Sequence, residues 1–157
     1  MKKIFIYYSL TGNGNFVADY LKDKNYNIRK VETGEELPKN FFLRMLVGGY
    51  KSMINYEDKL INFDSDISDY DEIIIGSPIW NSRLSSPINT VLKSIDLSNK
   101  KVTFILYSGS GKSSKCEELL MNKYNNANII NITLFCLIYC LFDLVKSLLI
   151  ISYCPPL

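Results

Sequence analysis

The stretch Tyr7–Leu21, YYSLTGNGNFVADYL, decides how the rest of the chain is read. Just before its polar centre, Lys3–Tyr8 (KIFIYY) is a continuous apolar run of strand length. At its centre, Ser9-Leu10-Thr11-Gly12-Asn13-Gly14-Asn15 crowds hydroxyls, amides and glycines together, more than a tight turn needs. After it, NFVADYLKD places Phe16, Val17, Tyr20 and Leu21 at helical spacing. A strand, a polar loop and a helix in this order bring the helix's unpaired first N–H groups to the loop, where the peptide dipoles favour an anion. Ser9, Thr11 and Asn13 or Asn15 can add side-chain donors. The loop contains no Lys or Arg, so neutral hydrogen bonds would hold the anion, which suits a phosphate monoester under a helix end. A capped turn with no ligand is the plainer reading of the loop taken alone.

Strand-like and helix-like segments alternate along the chain. Asn27–Glu32 (NIRKVE) alternates Ile28 and Val31 with polar residues, a weaker strand nearer an edge. Phe41–Ile54 reads as a helix interrupted at Gly48–Gly49. Asp71–Ser77 (DEIIIGS) and Lys101–Ser108 (KVTFILYS) are buried strands, and Asn128–Phe135 (NIINITLF) is a last one. In SSPINTVLKSI, Ser86 suits a helix cap and Pro87 the first turn. Lys115–Tyr124 is helical. Gly34–Asp69 is long for one crossover and carries an irregular excursion. Five strands alternate with helices, and the unbroken apolar runs among them imply a parallel sheet buried on both faces by right-handed crossovers, an α/β architecture. Ligands of such sheets sit beyond the carboxyl ends of the strands.

Three loops should meet at that edge: Ser9–Asn15, Gly76–Arg83 (GSPIWNSR) and Ser108–Lys112 (SGSGK). All are rich in Gly, Ser and Asn, and converging polar loops are what a pocket requires. Trp80, the single Trp, either packs on a flat heteroaromatic ring or closes the edge of the core. Two look-alikes match only in part, and the second keeps dinucleotide binding as a minor alternative. GSGKS (Gly109–Ser113) resembles the end of a Walker A motif, but Leu106 stands where its first Gly belongs. GNGNFV (Gly12–Val17) has Val17 in place of the third Gly of a dinucleotide fingerprint, although Glu32 lies near the position of a ribose-binding acid.

The totals narrow the chemistry. The 157 residues fit one domain, read as spanning 1–157, with 47% apolar residues, 22% charged and a net charge of +2. Lys residues are scattered without a basic run, so nucleic acid is not an expected partner. His is absent, and the four Cys (Cys116, Cys136, Cys140, Cys154) form no C-x-x-C pair, so neither a zinc site nor a Ser-His or Cys-His nucleophile is expected. The cysteines read as small buried hydrophobes. An enzyme built this way would draw its chemistry from a cofactor. The short apolar start lacks a cleavage site, which points to the cytoplasm.

SLTGNGN (Ser9–Asn15) resembles the flavodoxin phosphate loop of the form [ST]-x-T-G-N-T, departing at Gly14, where Thr is usual. Ile73–Leu92, IIIGSPIWNSRLSSPINTVL, resembles the flavin-ring loop and following helix of a flavodoxin subgroup with G-[ST]-P-x-W, and LYSGSG (Leu106–Gly111) matches the third flavin loop more loosely. The resemblance spans roughly residues 1–133. It implies a flavodoxin-like three-layer sandwich with a five-stranded parallel sheet, order 2-1-3-4-5, and non-covalent FMN. Ser9, Leu10, Thr11, Gly12, Asn13, Gly14 and Asn15 would form the phosphate loop, with Asn15 standing in for the hydroxyl missing at Gly14. Ser77, Pro78, Ile79, Trp80 and Asn81 would line the isoalloxazine on one side, and Ser108, Gly109 and Ser110 on the other.

The segment 134–157 departs from the family's charged last helix, being apolar on nearly every face with only Asp143 and Lys146 interrupting. Those mid-run charges disfavour a membrane span. A buried closing helix and an altered end of the domain both remain open, and an uncovered apolar helix would favour homodimers. Three functions stay in play: a reductase passing electrons from NAD(P)H through FMN to a small acceptor, a flavodoxin-type carrier serving a redox partner, and a non-redox domain that has kept the fold. Flavodoxins proper tend to be strongly acidic, and the charge of +2 counts against the carrier.

Overall fold

The structure is a computed structural model and describes residues 1–35, 37–109 and 113–133. The elements run β1 (Lys3–Tyr7), α1 (Asn13–Lys22), β2 (Asn27–Lys30), α2 (Phe41–Met53), β3 (Glu72–Trp80), β4 (Arg83–Leu84), α3 (Ser86–Ser94), β5 (Lys101–Ser108), α4 (Ser114–Lys123) and β6 (Asn128–Thr133). The sheet order is β2-β1-β3-β5-β6, with β4 paired to β3 off that path. Every pairing in the main sheet is parallel. This is the flavodoxin-like arrangement, the predicted order 2-1-3-4-5 with one short extra strand inserted. Because β2 sits outside β1 and β3 lies on β1's other side, the order also departs from the classical dinucleotide-binding sheet, 3-2-1-4-5-6.

Alternation along each strand sorts the core into two layers. Ile4, Ile6, Ile73, Ile75, Val102, Phe104 and Leu106 face Ile88 and Val91 of α3 and Cys116 and Leu120 of α4. Phe5, Tyr7, Ile74, Ile105 and Tyr107 face Val17, Ala18 and Leu21 of α1. Both faces of the central strands are therefore covered, which is why they read as unbroken apolar runs rather than alternating ones. The edge strand β2 is exposed at both ends and only half-buried between them, at Ile28 and Arg29.

Several boundaries differ from the sequence expectation, each for a local reason. The third strand continues past Ser77 to Trp80 and folds back through Asn81 and Ser82 into β4. Both turn residues have positive φ, 49° and 58°, the requirement of a two-residue hairpin whose twist matches its strands. The cap of α3 is Ser85 rather than Ser86, and its hydroxyl is drawn toward Ser77 instead of the helix amides. α2 runs through Gly48–Gly49 without interruption. Gly48 is there for packing: a Cβ would stand 3.0–3.2 Å from three atoms of the Trp80 ring. The excursion between β2 and β3 holds α2 and is closed by an antiparallel bridge, Thr33 with Leu60. The expected atypical end, 134–157, lies outside the described residues, and among those described no helix is long and apolar enough to cross a membrane.

Candidate functional site

The parallel register brings the loops together. Tyr7 pairs with Gly76, and Gly76 with Ile105, so β1, β3 and β5 send their carboxyl ends to one edge. The first two loops touch there: Tyr8 donates its N–H to the Gly76 carbonyl at 3.1 Å, and its ring meets the Trp80 ring edge-on at 5.9 Å between centroids.

The first loop is organised around Gly12, whose φ of 88° lies in the left-handed region that glycine adopts without strain. This turn lets the chain enter α1 directly. Two early amides of α1 are satisfied within the loop: Gly14 N–H donates to Ser9 Oγ at 3.0 Å and Asn15 N–H to the Gly12 carbonyl at 2.9 Å. The N–H groups of Thr11, Gly12 and Asn13 have no partner among the described residues. The hydroxyls of Ser9 and Thr11 each accept one hydrogen bond, Thr11 Oγ1 from Asn13 Nδ2 at 2.6 Å, and so keep their protons for another acceptor. Thr11 and Asn15 are exposed, Ser9, Gly12 and Asn13 half-buried, and Leu10 packs against the core below. A cradle of free donors at a helix N-terminus, without a cation, is chemistry suited to a phosphate monoester.

The second loop divides between support and contact. Ser77 is fully buried, and its Oγ accepts the Ser85 N–H at 3.1 Å while lying 3.1 Å from Ser85 Oγ. Its side chain therefore ties β3 to the start of α3 instead of opening onto the edge. Trp80 is 6% exposed and held between Tyr8 and Gly48, so its indole closes the edge of the core. Pro78 and Ile79 are half-buried, and Asn81 is exposed at the hairpin tip. What this loop presents at the edge is thus its Pro78–Ile79 surface and the hairpin tip.

In the third loop, Ser108 is buried and its Oγ has no hydrogen-bond partner among the described residues. A buried hydroxyl without a partner at the carboxyl end of a central strand fits a polar ligand atom. A Cβ on the exposed Gly109 would meet nothing within 4 Å, so the backbone there is open to a flat group. Ser110, Gly111 and Lys112 lie outside the described residues. Just beyond, Ser113 Oγ donates to Asn131 Oδ1 at 2.7 Å and Asn131 Nδ2 to Glu117 Oε1 at 3.0 Å, anchoring α4 to β6.

One feature of the site was not apparent in the sequence. Tyr7 lies under the first loop, and its hydroxyl donates to Asn15 Oδ1 at 3.0 Å. The unexpected Gly14 was its trace, because the Tyr7 ring occupies the space a side chain there would need. Arg83 is half-buried, close enough to Cys116 for its charge to act on the thiol. Burial nevertheless pushes the Cys116 thiol up to about 11, with the Glu117 charge acting in the same direction, so it stays protonated at neutral pH and acts as a core hydrophobe. Cys136, Cys140 and Cys154 lie outside the described residues. Among those described, no group of acidic, Cys or His side chains could hold a metal ion.

Comparison with known proteins points the same way. A family model described as Flavodoxin matches residues 52–138. A Bacteroides uniformis crystal structure, proposed to be a flavoprotein, superposes with a TM-score of 0.67 at 24% identity, over 82% of this chain and 85% of that one. A flavoprotein in complex with FMN from Lactobacillus acidophilus gives a TM-score of 0.63 at 22% identity, over 82% of this chain and 89% of that one. At these identities the solved structures establish the shared fold. No curated protein matches the sequence significantly.

Proposed function

This chain belongs to the flavodoxin family, and we propose that it is a cytoplasmic, single-domain FMN flavoprotein that passes electrons from NAD(P)H to a small acceptor. The observation that carries the FMN reading is the loop Ser9–Asn15, where three backbone N–H groups and two hydroxyl protons at the N-terminus of α1 have no partner among the described residues. The FMN complex from Lactobacillus acidophilus, similar in fold, supports the same cofactor.

Bound FMN would supply the redox chemistry through its isoalloxazine ring. The chain's part is to bind, orient and shield. Thr11 and Ser9 would donate hydroxyl hydrogen bonds to the phosphate beside the amides of Thr11, Gly12 and Asn13. Pro78 and Ile79 would wall one side of the ring, with Asn81 at its rim. The buried Ser108 Oγ and the open backbone at Gly109 would meet the ring's polar edge. Trp80 would act from behind, stiffening the second loop through Tyr8 and Gly48. The near-neutral charge favours a reductase with small-molecule substrates over a carrier steered to a charged protein. Homodimer formation is part of the same proposal, supported by exposed apolar residues on α2 such as Leu46 and Tyr50.

The test begins with an absorption spectrum of the purified protein before and after incubation with FMN and desalting. Flavin absorbance retained by the protein supports the cofactor, and a colourless protein that takes up no FMN refutes it. Bleaching by NADH or NADPH, restored by a quinone, nitro compound or free flavin, supports the reductase. FMN binding without any turnover assigns the protein to the carriers.

A further inference from the structure

The first loop contains a substitution of parts that follows from one residue beneath it. Gly14 is the second residue of α1 and is buried. A Cβ there would stand 2.7 Å from Tyr7 Cδ2 and 3.0 Å from Ser9 Cβ. Tyr7 cannot withdraw, because its ring is stacked on Phe5 at 4.9 Å with an interplanar angle of 3° and is 4% exposed. Any side-chain donor for the helix N-terminus must therefore come from another position.

Asn15 is placed to provide it. Its Oδ1 accepts the Tyr7 hydroxyl at 3.0 Å. Its Nδ2 is on the loop side, 3.9 Å from where a Cβ on Gly12 would be. The amide thus has its acceptor end occupied by the protein and its donor end directed at the turn that carries the free N–H groups. Donation by the Tyr7 hydroxyl into the amide oxygen also polarises the amide and strengthens its N–H as a donor. Burial, aided by the Asp19 charge, raises the Tyr7 phenol above its ordinary value, so it remains a proton donor across the physiological range.

We propose that Tyr7 is a positioning residue for phosphate recognition, excluding a side chain at Gly14 and aiming the Asn15 Nδ2 at the phosphate monoester of the bound flavin. This inference rests on the FMN reading above and adds the residue that sets the loop's preference for a phosphorylated ligand.

The experiment compares FMN with riboflavin, which has the same ring and no phosphate, by flavin fluorescence titration of the full chain. Tyr7→Phe should raise the Kd for FMN by about tenfold, because the unanchored Asn15 amide no longer makes its hydrogen bond to the charged phosphate, and leave that for riboflavin unchanged. Asn15→Leu should do the same, and the double variant should bind FMN no more weakly than Asn15→Leu alone, since Tyr7 acts through Asn15. A Tyr7→Phe protein that loses both flavins equally, or keeps the wild-type ratio of affinities, overturns the inference while leaving FMN binding intact. Additive losses in the double variant overturn it as well. A wild-type protein that binds neither flavin refutes the FMN reading and this inference with it.

Discussion

Gly76 lies midway along β3, where the sheet has no room for a single methyl group. An Ala Cβ would stand 2.2 Å from the Tyr107 hydroxyl and 2.7 and 2.8 Å from two atoms of the Phe5 ring. Non-bonded carbon atoms settle at about 3.5–4.0 Å, so the two rings would have to retreat by roughly 1 Å or the strands would have to part. Phe5 and Tyr107 are both buried, and Phe5 is stacked on Tyr7. Overpacking of this kind costs about 3 kcal/mol. Replacing Gly in a strand returns about 0.5–1 kcal/mol of backbone entropy, which leaves Gly76→Ala destabilised by about 2 kcal/mol. Tyr107→Phe removes the nearest of the clashing atoms. It also removes a buried hydroxyl that has no hydrogen-bond partner among the described residues. Releasing that unmet group is worth about 1–3 kcal/mol, offset by about 0.5 kcal/mol for the small void, so Tyr107→Phe alone should stabilise by about 1 kcal/mol. In the Tyr107→Phe background, Gly76→Ala should then cost about 1 kcal/mol less than in the parent, the Phe5 contacts accounting for what remains. Urea unfolding of the flavin-free protein, with midpoint and slope fitted for all four corners of the cycle, measures each quantity. A neutral Gly76→Ala, or a cost that Tyr107→Phe does not change, would refute the reasoning.

Other expectations follow from single contacts. Thr11→Val removes a free hydroxyl from the first loop and should weaken FMN binding by about 1–3 kcal/mol, roughly 5- to 150-fold in Kd; an unchanged Kd would remove Thr11 from the site. Ser77→Ala leaves the buried Ser85 N–H without its acceptor and should cost about 1–3 kcal/mol, seen as a lower unfolding midpoint, and a midpoint equal to wild type would show that the tie between β3 and α3 carries no stability. Cys116 should resist iodoacetamide at pH 8 in the native protein and react once it is unfolded, as read by peptide mapping; rapid native labelling would contradict its burial. The same raised value makes a linkage prediction. The unfolded thiol loses its proton near about pH 8.5–9, whereas the folded one holds it to about 11. Its contribution to stability is therefore complete below about pH 8.5 and lost as the pH rises toward 11, and Cys116→Ala should flatten that part of the stability profile.

The apolar runs at Lys3–Tyr8, Asp71–Ser77 and Lys101–Ser108, separated by helical spacings, were enough to determine a parallel sheet covered on both faces. They also implied that the strands preceding Ser9, Ser77 and Gly109 end on one edge, and the register of β1, β3 and β5 places those strand ends there. These properties are local and periodic: a side chain's solvent exposure repeats with its backbone geometry, and parallel strands must all present their carboxyl ends to the same side. Only the tertiary structure decided which residues answer one another across the layers. Gly48 looked like a helix break and is the space that Trp80 fills. Nothing along the chain showed that the Ser77 hydroxyl holds the start of α3. The β3–β4 hairpin depended on Asn81 and Ser82 accepting positive φ, for which neither is as clear a marker as Gly. Tyr7 looked like one more apolar strand residue, yet it occupies the side-chain space at Gly14 and supplies the partner of Asn15. Each of these pairings is a matter of which atom occupies a given volume, and no periodicity along the chain carries that information.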